Sequence, residues 1–257
     1  MRTKTTRCLG QWCCAVGMKQ LILTCEHGDA KIPIKYKNLF QRRKSVLKTH
    51  RALDIGALAV AKDLERNLNV SLDYCTVSRL VIDTNRFLDS ATLFSEFTNS
   101  LTELEKSKII DTYYLPHWKK VTKRVQNLTT TKKSVVLHVA IHSMTDRLNG
   151  KNRPMQLALL YNPKHKTEKQ LASLWIKKLR QTFPHFQISR NNPYKGDGEG
   201  LTTWLRNSFQ EKSYLGIELE INQKFLKLLK TTKQRKKFSE ALANSLKETL
   251  HDSPSLR

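Results

Sequence analysis

Short apolar runs alternate along this chain with longer stretches whose apolar residues return every three or four positions. The run KQLILTC at 19–25 stops at Glu26-His27-Gly28 and reads as a buried strand. After a basic loop, residues 51–68 set Leu53, Ala57, Val60, Leu64 and Leu68 at the spacing of an amphipathic helix. SLDYCTVSRLVID at 71–83 reads as a second strand and ends at Asn85-Arg86. A long, largely polar helical pattern covers 101–127, with a break expected near Pro116. SVVLHVAIH at 134–142 is the most hydrophobic stretch and has the character of a central strand, and MQLALLYN at 155–162 supplies another. Helical spacing returns in Leu171, Leu174, Trp175, Leu179 and Phe183. FQISRN then leads into a glycine-rich loop at 192–200, a short helix through Trp204 to Phe209, the strand SYLGIELEI and a helical end at 223–250. Strands alternating with helices predict an α/β fold of three layers, a mixed, mainly parallel sheet covered by helices on both faces.

Length and composition narrow this picture. The 257 residues suffice for one large domain, and no Gly/Pro-rich linker or internal repeat divides them. We therefore expect a single domain over 18–257. Residues 1–17 have no periodic apolar face and no signal-peptide core, and are expected to be a disordered extension or a mis-assigned start with Met18 as the initiator. No apolar run approaches the roughly 18 to 20 residues that span a bilayer.

Forty-six Lys plus Arg against 22 Asp plus Glu give +24, a field that attracts anions from small carboxylates to nucleic acid. The basic residues are nevertheless spread over the polar faces of helical stretches, without the interleaved aromatics of a single-strand binding groove. They read as solvated faces. Five cysteines show no CxxC or zinc-finger spacing, which favours reduced thiols and a cytoplasmic setting. Cys25, inside a strand, reads as an inert packing thiol rather than a nucleophile.

The chemistry gathers at the ends of the apolar runs. Ligands of open α/β sheets bind outside the carboxyl ends of strands. His27 ends the first strand and His142 the central one, and two such imidazoles can share one metal ion, leaving one position for a carboxylate and one for water. Arg86 offers a planar fork for a carboxylate, although a structural salt bridge around Asp83 is the plainer reading of Asp-x-Asn-Arg. Glu218 and Glu220 fall on one face of their strand. A general base explains a carboxylate there; a salt bridge explains Glu220 equally well.

Taken in order, TCEHG–IP, HRALDIGA, SRLVIDTNRF, YYLPHW, LHVAIHSMTDRLNGKNR, NPYKGDGEGLT–LR and YLGIELEINQ resemble the N-formylglutamate amidohydrolase family, from Met18 to about Gln223. That family is similar in fold and site layout to zinc carboxypeptidases and aspartoacylases. The resemblance implies a zinc-dependent hydrolase that cleaves the amide of a small anionic N-acyl amino acid, typified by N-formyl-L-glutamate. It implies that His27 and His142 bind the metal, that Asn85 and Arg86 hold the substrate carboxylate, and that Glu218 activates the attacking water. Arg79, Arg153 and Arg206 are further candidates for substrate carboxylates, Tyr194 for a mobile cover, and Glu220 and Ser143 for support behind the ligands. Where carboxypeptidases carry a ligating glutamate three residues after the first histidine, this chain has Ala30. Asp54 in HRALDIGA is the substitute, with Glu26 and Asp29 as alternatives; strand alternation points Glu26 away from His27. Other readings are an amidohydrolase or peptidase for another acyl-amino acid or cell-wall peptide, or a nucleic-acid-binding derivative of the fold. The last is disfavoured, because a binding module has no need of His27, His142 and Glu218 together.

Overall fold

The chain builds its sheet from strands β1 (Gln20–Cys25), β2 (Leu72–Tyr74), β3 (Val136–Met144), β6 (Leu157–Leu160), β7 (Ile188–Arg190) and β8 (Tyr214–Asn222), while β4 (Arg147–Leu148) and β5 (Lys151–Asn152) pair apart as a small hairpin. The structure, a computed structural model, describes residues 20–130 and 135–253; the expectation for residues 1–17 lies outside them. The sheet order is β2-β1-β3-β8-β6-β7, and every neighbouring pair is parallel except β6 with β8. This is the mixed, mainly parallel sheet that the sequence pattern predicts.

Strand alternation sorts the side chains into two cores. From β1, β3 and β8, the odd-numbered Leu23, Leu137, Val139, Ile141, Leu215, Ile217 and Leu219 face helices α1 (Ala57–Leu68), α4 (Lys166–Thr182) and α7 (Thr232–Asp252). On the other face, the even-numbered Ile22, Val136 and Tyr214 pack with α3 (Leu115–Thr129), α5 (Leu201–Ser208) and a 3-10 segment at Ile34–Lys48. Helices therefore cover both faces, as expected. The second face changes character toward the carboxyl ends of its strands, where His142, Glu218 and Glu220 take even-numbered positions. His138 shares that face but is a satisfied core histidine: Thr24 Oγ1 and Tyr214 Oη each lie 2.7 Å from its ring nitrogens, and burial lowers its pKa to about 4.

Several elements depart from expectation for identifiable reasons. Of the strand expected at 71–83, only Leu72–Tyr74 pairs with β1. The chain then turns, with the Val81 N–H donating to the Ser78 carbonyl at 2.8 Å, and Leu80, Val81 and Ile82 are apolar because they fill the second core. Helix α1 begins at Ala57 rather than 51, since Gly56 takes a left-handed φ of 85° and leaves 51–56 as a turn. The basic loop contains the 3-10 segment. The irregularity expected near Pro116 falls just upstream, as a π-helical turn at Ile110–Tyr114 between α2 (Glu103–Ile109) and α3; proline has no N–H to continue the helical ladder. The helical end divides into α6 (Gln223–Leu228) and α7, because Thr231 and Gln234 form a capping box. Among the described residues, no helix is long and apolar enough to cross a membrane.

Candidate active site

Three segments meet at the carboxyl ends of β1 and β3. His27 follows β1, His142 lies near the end of β3, and the turn before α1 delivers Asp54, whose N–H donates to the His27 carbonyl at 2.9 Å. Asp54 Oδ2 lies 2.8 Å from His142 Nδ1 and 3.5 Å from His27 Nδ1. One donor atom from each residue falls within 4.8 Å of the others, and all three residues are buried. Each imidazole turns its other nitrogen to a carboxylate: His27 Nε2 is 2.6 Å from Asp83 Oδ1, and His142 Nε2 is 3.3 Å from Glu26 Oε2. Such outer carboxylates fix the ring orientation of metal-ligating histidines. His27 Nδ1 is buried and makes no hydrogen bond among the described residues, and neither do His142 Nε2 and Glu26 Oε2, whose approach is that of an ion pair; each is unfavourable unless something else satisfies it. Two imidazoles and a carboxylate form a ligand set of catalytic zinc, so the residues present fit such an ion.

The charge balance follows from these contacts. Burial alone would depress His142, but Asp54 and Glu26 more than offset it and hold its pKa well above the ordinary value. Burial and Arg79 likewise oppose protonation of His27, and Asp83 and Asp54 prevail. Burial would raise Glu26, yet His117 and His142 hold it well below the usual carboxylate range. Asp83 is held low against burial by Arg79 and His27. Burial opposes charge on His117 too, but Cys75 and Glu26 push it up to about 10.

A pH dependence follows. Raised folded-state values for His27 and His142 add stability that is fully present below the unfolded value of about 6.5 and is lost as pH rises through the folded values. A divalent cation must displace those protons, so its binding strengthens over the same rise. The gain in Tm from zinc over a chelator-treated control should be larger at about pH 8 than at about pH 6. Equal gains at both would contradict proton displacement from these rings.

A cavity of about 540 Å³ opens over the cluster and is lined by His27, Asp54, His142, Glu218 and Glu220. Asn85 and Arg86 line it as well. Asn85 Oδ1 accepts from the Leu201 N–H at 2.9 Å, and Arg86 Nη1 donates to the Asn85 carbonyl at 3.0 Å. Gly200, at φ 150°, lets the chain pass: a Cβ there would come within 2.7 Å of Asn85 Oδ1. Arg79 also lines the cavity, with Nη2 2.7 Å from Asp83 and Nη1 3.5 Å from Asp54. Tyr194 stands at the mouth, and its hydroxyl accepts from Arg153 Nη1 at 2.9 Å; Arg153 does not line the cavity and reaches it through that contact. Ser143 supports Asp54, donating its N–H to Oδ2 at 3.3 Å and its hydroxyl to the Ile55 carbonyl at 3.0 Å.

Other candidates lie elsewhere. Asp29 accepts from the Ala30 N–H and sits 3.7 Å from Lys31, outside the cluster, and Glu26 stands on the far nitrogen of His142. Arg206 does not line the cavity. Its buried guanidinium pairs with Glu168 at 2.8 Å and donates to the Gly196 and Gly216 carbonyls, so it anchors the glycine-rich loop. Breaking a buried pair of this kind costs about 3–5 kcal/mol, so Arg206→Leu should lower unfolding stability by that amount in a denaturant titration. A loss under about 1 kcal/mol would show the pair to be dispensable. Cys25 is fully buried, and burial pushes its thiol pKa well up, as suits a packing residue.

The two glutamates differ. Glu218 lies level with Ala140 in the β3–β8 register and accepts from the Thr202 hydroxyl at 2.5 Å. Glu220 lies level with His142, and its Oε2 has no hydrogen-bond partner among the described residues. Burial pushes Glu220 up to about 7 despite the opposing pull of His142.

Sequence reasoning passed over His50, Lys195 and Glu199, which line the cavity, and His117 behind it. Burial, then Arg79, lower the His50 pKa, favouring a neutral ring. His50 opens the HRALDIGA motif and His117 sits inside YYLPHW, so membership of those motifs was the available signal for both; spacing alone offered none for His117.

A mainly parallel α/β sheet with a buried histidine–carboxylate cluster at its strand ends defines a hydrolase-type domain with a candidate metal centre. The sequence profile of N-formylglutamate amidohydrolase matches residues 19–226, and the chain belongs to that family. The structure is similar to that of gene product Atu2144 from Agrobacterium tumefaciens, with 26% identity, a TM-score of 0.77, and coverage of 91% of this chain and 92% of that one. It is also similar to N-formylglutamate amidohydrolase from Ralstonia eutropha JMP134, at 17% identity and a TM-score of 0.65, covering 92% of this chain and 96% of that one. No curated protein sequence matches.

Proposed function

We propose that the protein is a zinc-dependent amidohydrolase that removes the acyl group from an N-acylated acidic amino acid such as N-formyl-L-glutamate. The observation that carries this reading is the buried His27–Asp54–His142 cluster, with a carboxylate behind each imidazole, opening into a cavity that also holds Arg86 and Glu220. When bound, zinc supplies a Lewis acid that polarises a carbonyl and lowers the pKa of water to about 7.

The chain's own residues do the rest. His27, Asp54 and His142 hold the ion. Arg86, steadied by Asn85, binds the substrate carboxylate through its planar fork. Lys195 and Arg79 add positive charge to the cavity, and Tyr194 covers the bound substrate and limits water entry. A carboxylate takes a proton from the attacking water and passes it to the leaving nitrogen, so that the C–N bond breaks to a free amine and a carboxylic acid. We assign this role to Glu220 rather than to Glu218, the residue the resemblance implies. Its level with His142, its unpartnered oxygen and a pKa of about 7, suited to both accepting and donating a proton, support the assignment.

The test is amine release by zinc-loaded protein from N-formyl and N-acetyl derivatives of glutamate, aspartate and neutral amino acids. Cleavage of the acidic derivatives well ahead of neutral ones is expected. Equal rates on neutral derivatives would sink the anionic specificity, and cleavage of none would overturn the activity.

A further inference from the structure

Glu26 is fully buried at the end of β1: Oε1 is hydrogen-bonded to His117 Nε2 at 3.3 Å, and Oε2 lies 3.3 Å from His142 Nε2, an ion-pair distance at which neither atom makes a hydrogen bond among the described residues. His117 belongs to the first turn of α3, which is tied down by its neighbour: the Trp118 indole N–H donates to the Thr84 carbonyl at 2.8 Å. His117 also lines a separate cavity of about 240 Å³ that shares no lining residue with the substrate cavity. We propose that His117 is a positioning residue for the metal centre, holding Glu26 so that Glu26 in turn fixes the ring of His142. This rests on the metal reading above.

The argument is one of tautomers and charge. If His142 ligates through Nδ1, the nitrogen facing Asp54, its one remaining proton sits on Nε2, the nitrogen facing Glu26. A neutral His142 no longer balances the Glu26 carboxylate, and a buried carboxylate without a partner is strongly unfavourable. His117 supplies that partner from the other side. His138 shows the contrast, since its partners are hydroxyls and neither is a carboxylate standing against a metal ligand.

The experiment titrates metal-free full-length protein with Zn²⁺ against a chromophoric chelator, for wild type, His117→Leu, His117→Gln, Glu26→Gln and the double variant Glu26→Gln/His117→Leu. His117→Leu should weaken zinc binding about 10-fold, the low end for outer partners of a ligand. His117→Gln, which keeps an N–H donor, should stay within about threefold of wild type, and the leucine change should add little once Glu26 is glutamine. Cobalt absorption should shift in His117→Leu and not in His117→Gln. Should the leucine variant fail to fold, His117→Asn, too short to reach Glu26, takes its place. Wild-type affinity in His117→Leu, or additive effects in the double variant, would overturn the assignment. Absence of zinc binding by wild type would instead overturn the metal reading, and the assignment with it.

Discussion

Glu220→Gln is expected to lower turnover by about two to four orders of magnitude, the usual contribution of a general acid–base group, with zinc content unchanged. Glutamine keeps the shape of the side chain but cannot accept a proton. The change also removes a carboxyl whose folded pKa is raised to about 7. Such a group contributes stability present below its unfolded value and lost as pH rises through about 7, so the metal-free glutamine variant should melt no lower than wild type at about pH 8. Glu218→Gln should act mainly through its contact with Thr202, with a smaller effect on kcat. A dead Glu218→Gln beside a normal Glu220→Gln would return the role to Glu218.

Asp54→Asn should abolish stoichiometric zinc binding, weakening affinity by more than the roughly 10–100-fold typical of outer partners. Asp54 is the carboxylate nearest both inward-facing imidazole nitrogens, and its loss leaves two histidines alone. Glu26→Gln should fall within about 10–100-fold, and Asp29→Asn should bind as wild type. Zinc analysis after gel filtration ranks the three. Full zinc in Asp54→Asn with none in Glu26→Gln would make Glu26 the ligand.

The sequence carried the strands that form the middle of the sheet, because β1, β3 and β8 are buried on both faces and so read as short, nearly continuous apolar runs. It carried His27 and His142 because strand ends are visible wherever such a run meets polar residues. Its preference for Asp54 over Glu26 and Asp29 came from the resemblance and not from spacing, since that choice depends on how the turn before α1 folds back on the His27 carbonyl. The stretch at 77–82 misled for a related reason: burial against a helix layer and burial in a sheet leave the same apolar signature. Arg206 was indistinguishable in sequence from the other further candidates, Arg79 and Arg153, because Glu168, the partner that takes it out of the cavity, lies far away in the chain.

The rims of the sheet have a consequence for how copies of this chain meet. Among the described residues, β2 and β7 are the outermost strands, and each is only three residues long. Long unpaired rims invite strand-by-strand addition of another chain, and short ones leave too few backbone groups to template it. Asp73 on β2 is already engaged by Lys120 and Arg124, which further crowds that border. Among the described residues, the sheet rims therefore disfavour strand-by-strand growth and leave helical faces and loops as the better surfaces for a second copy to meet.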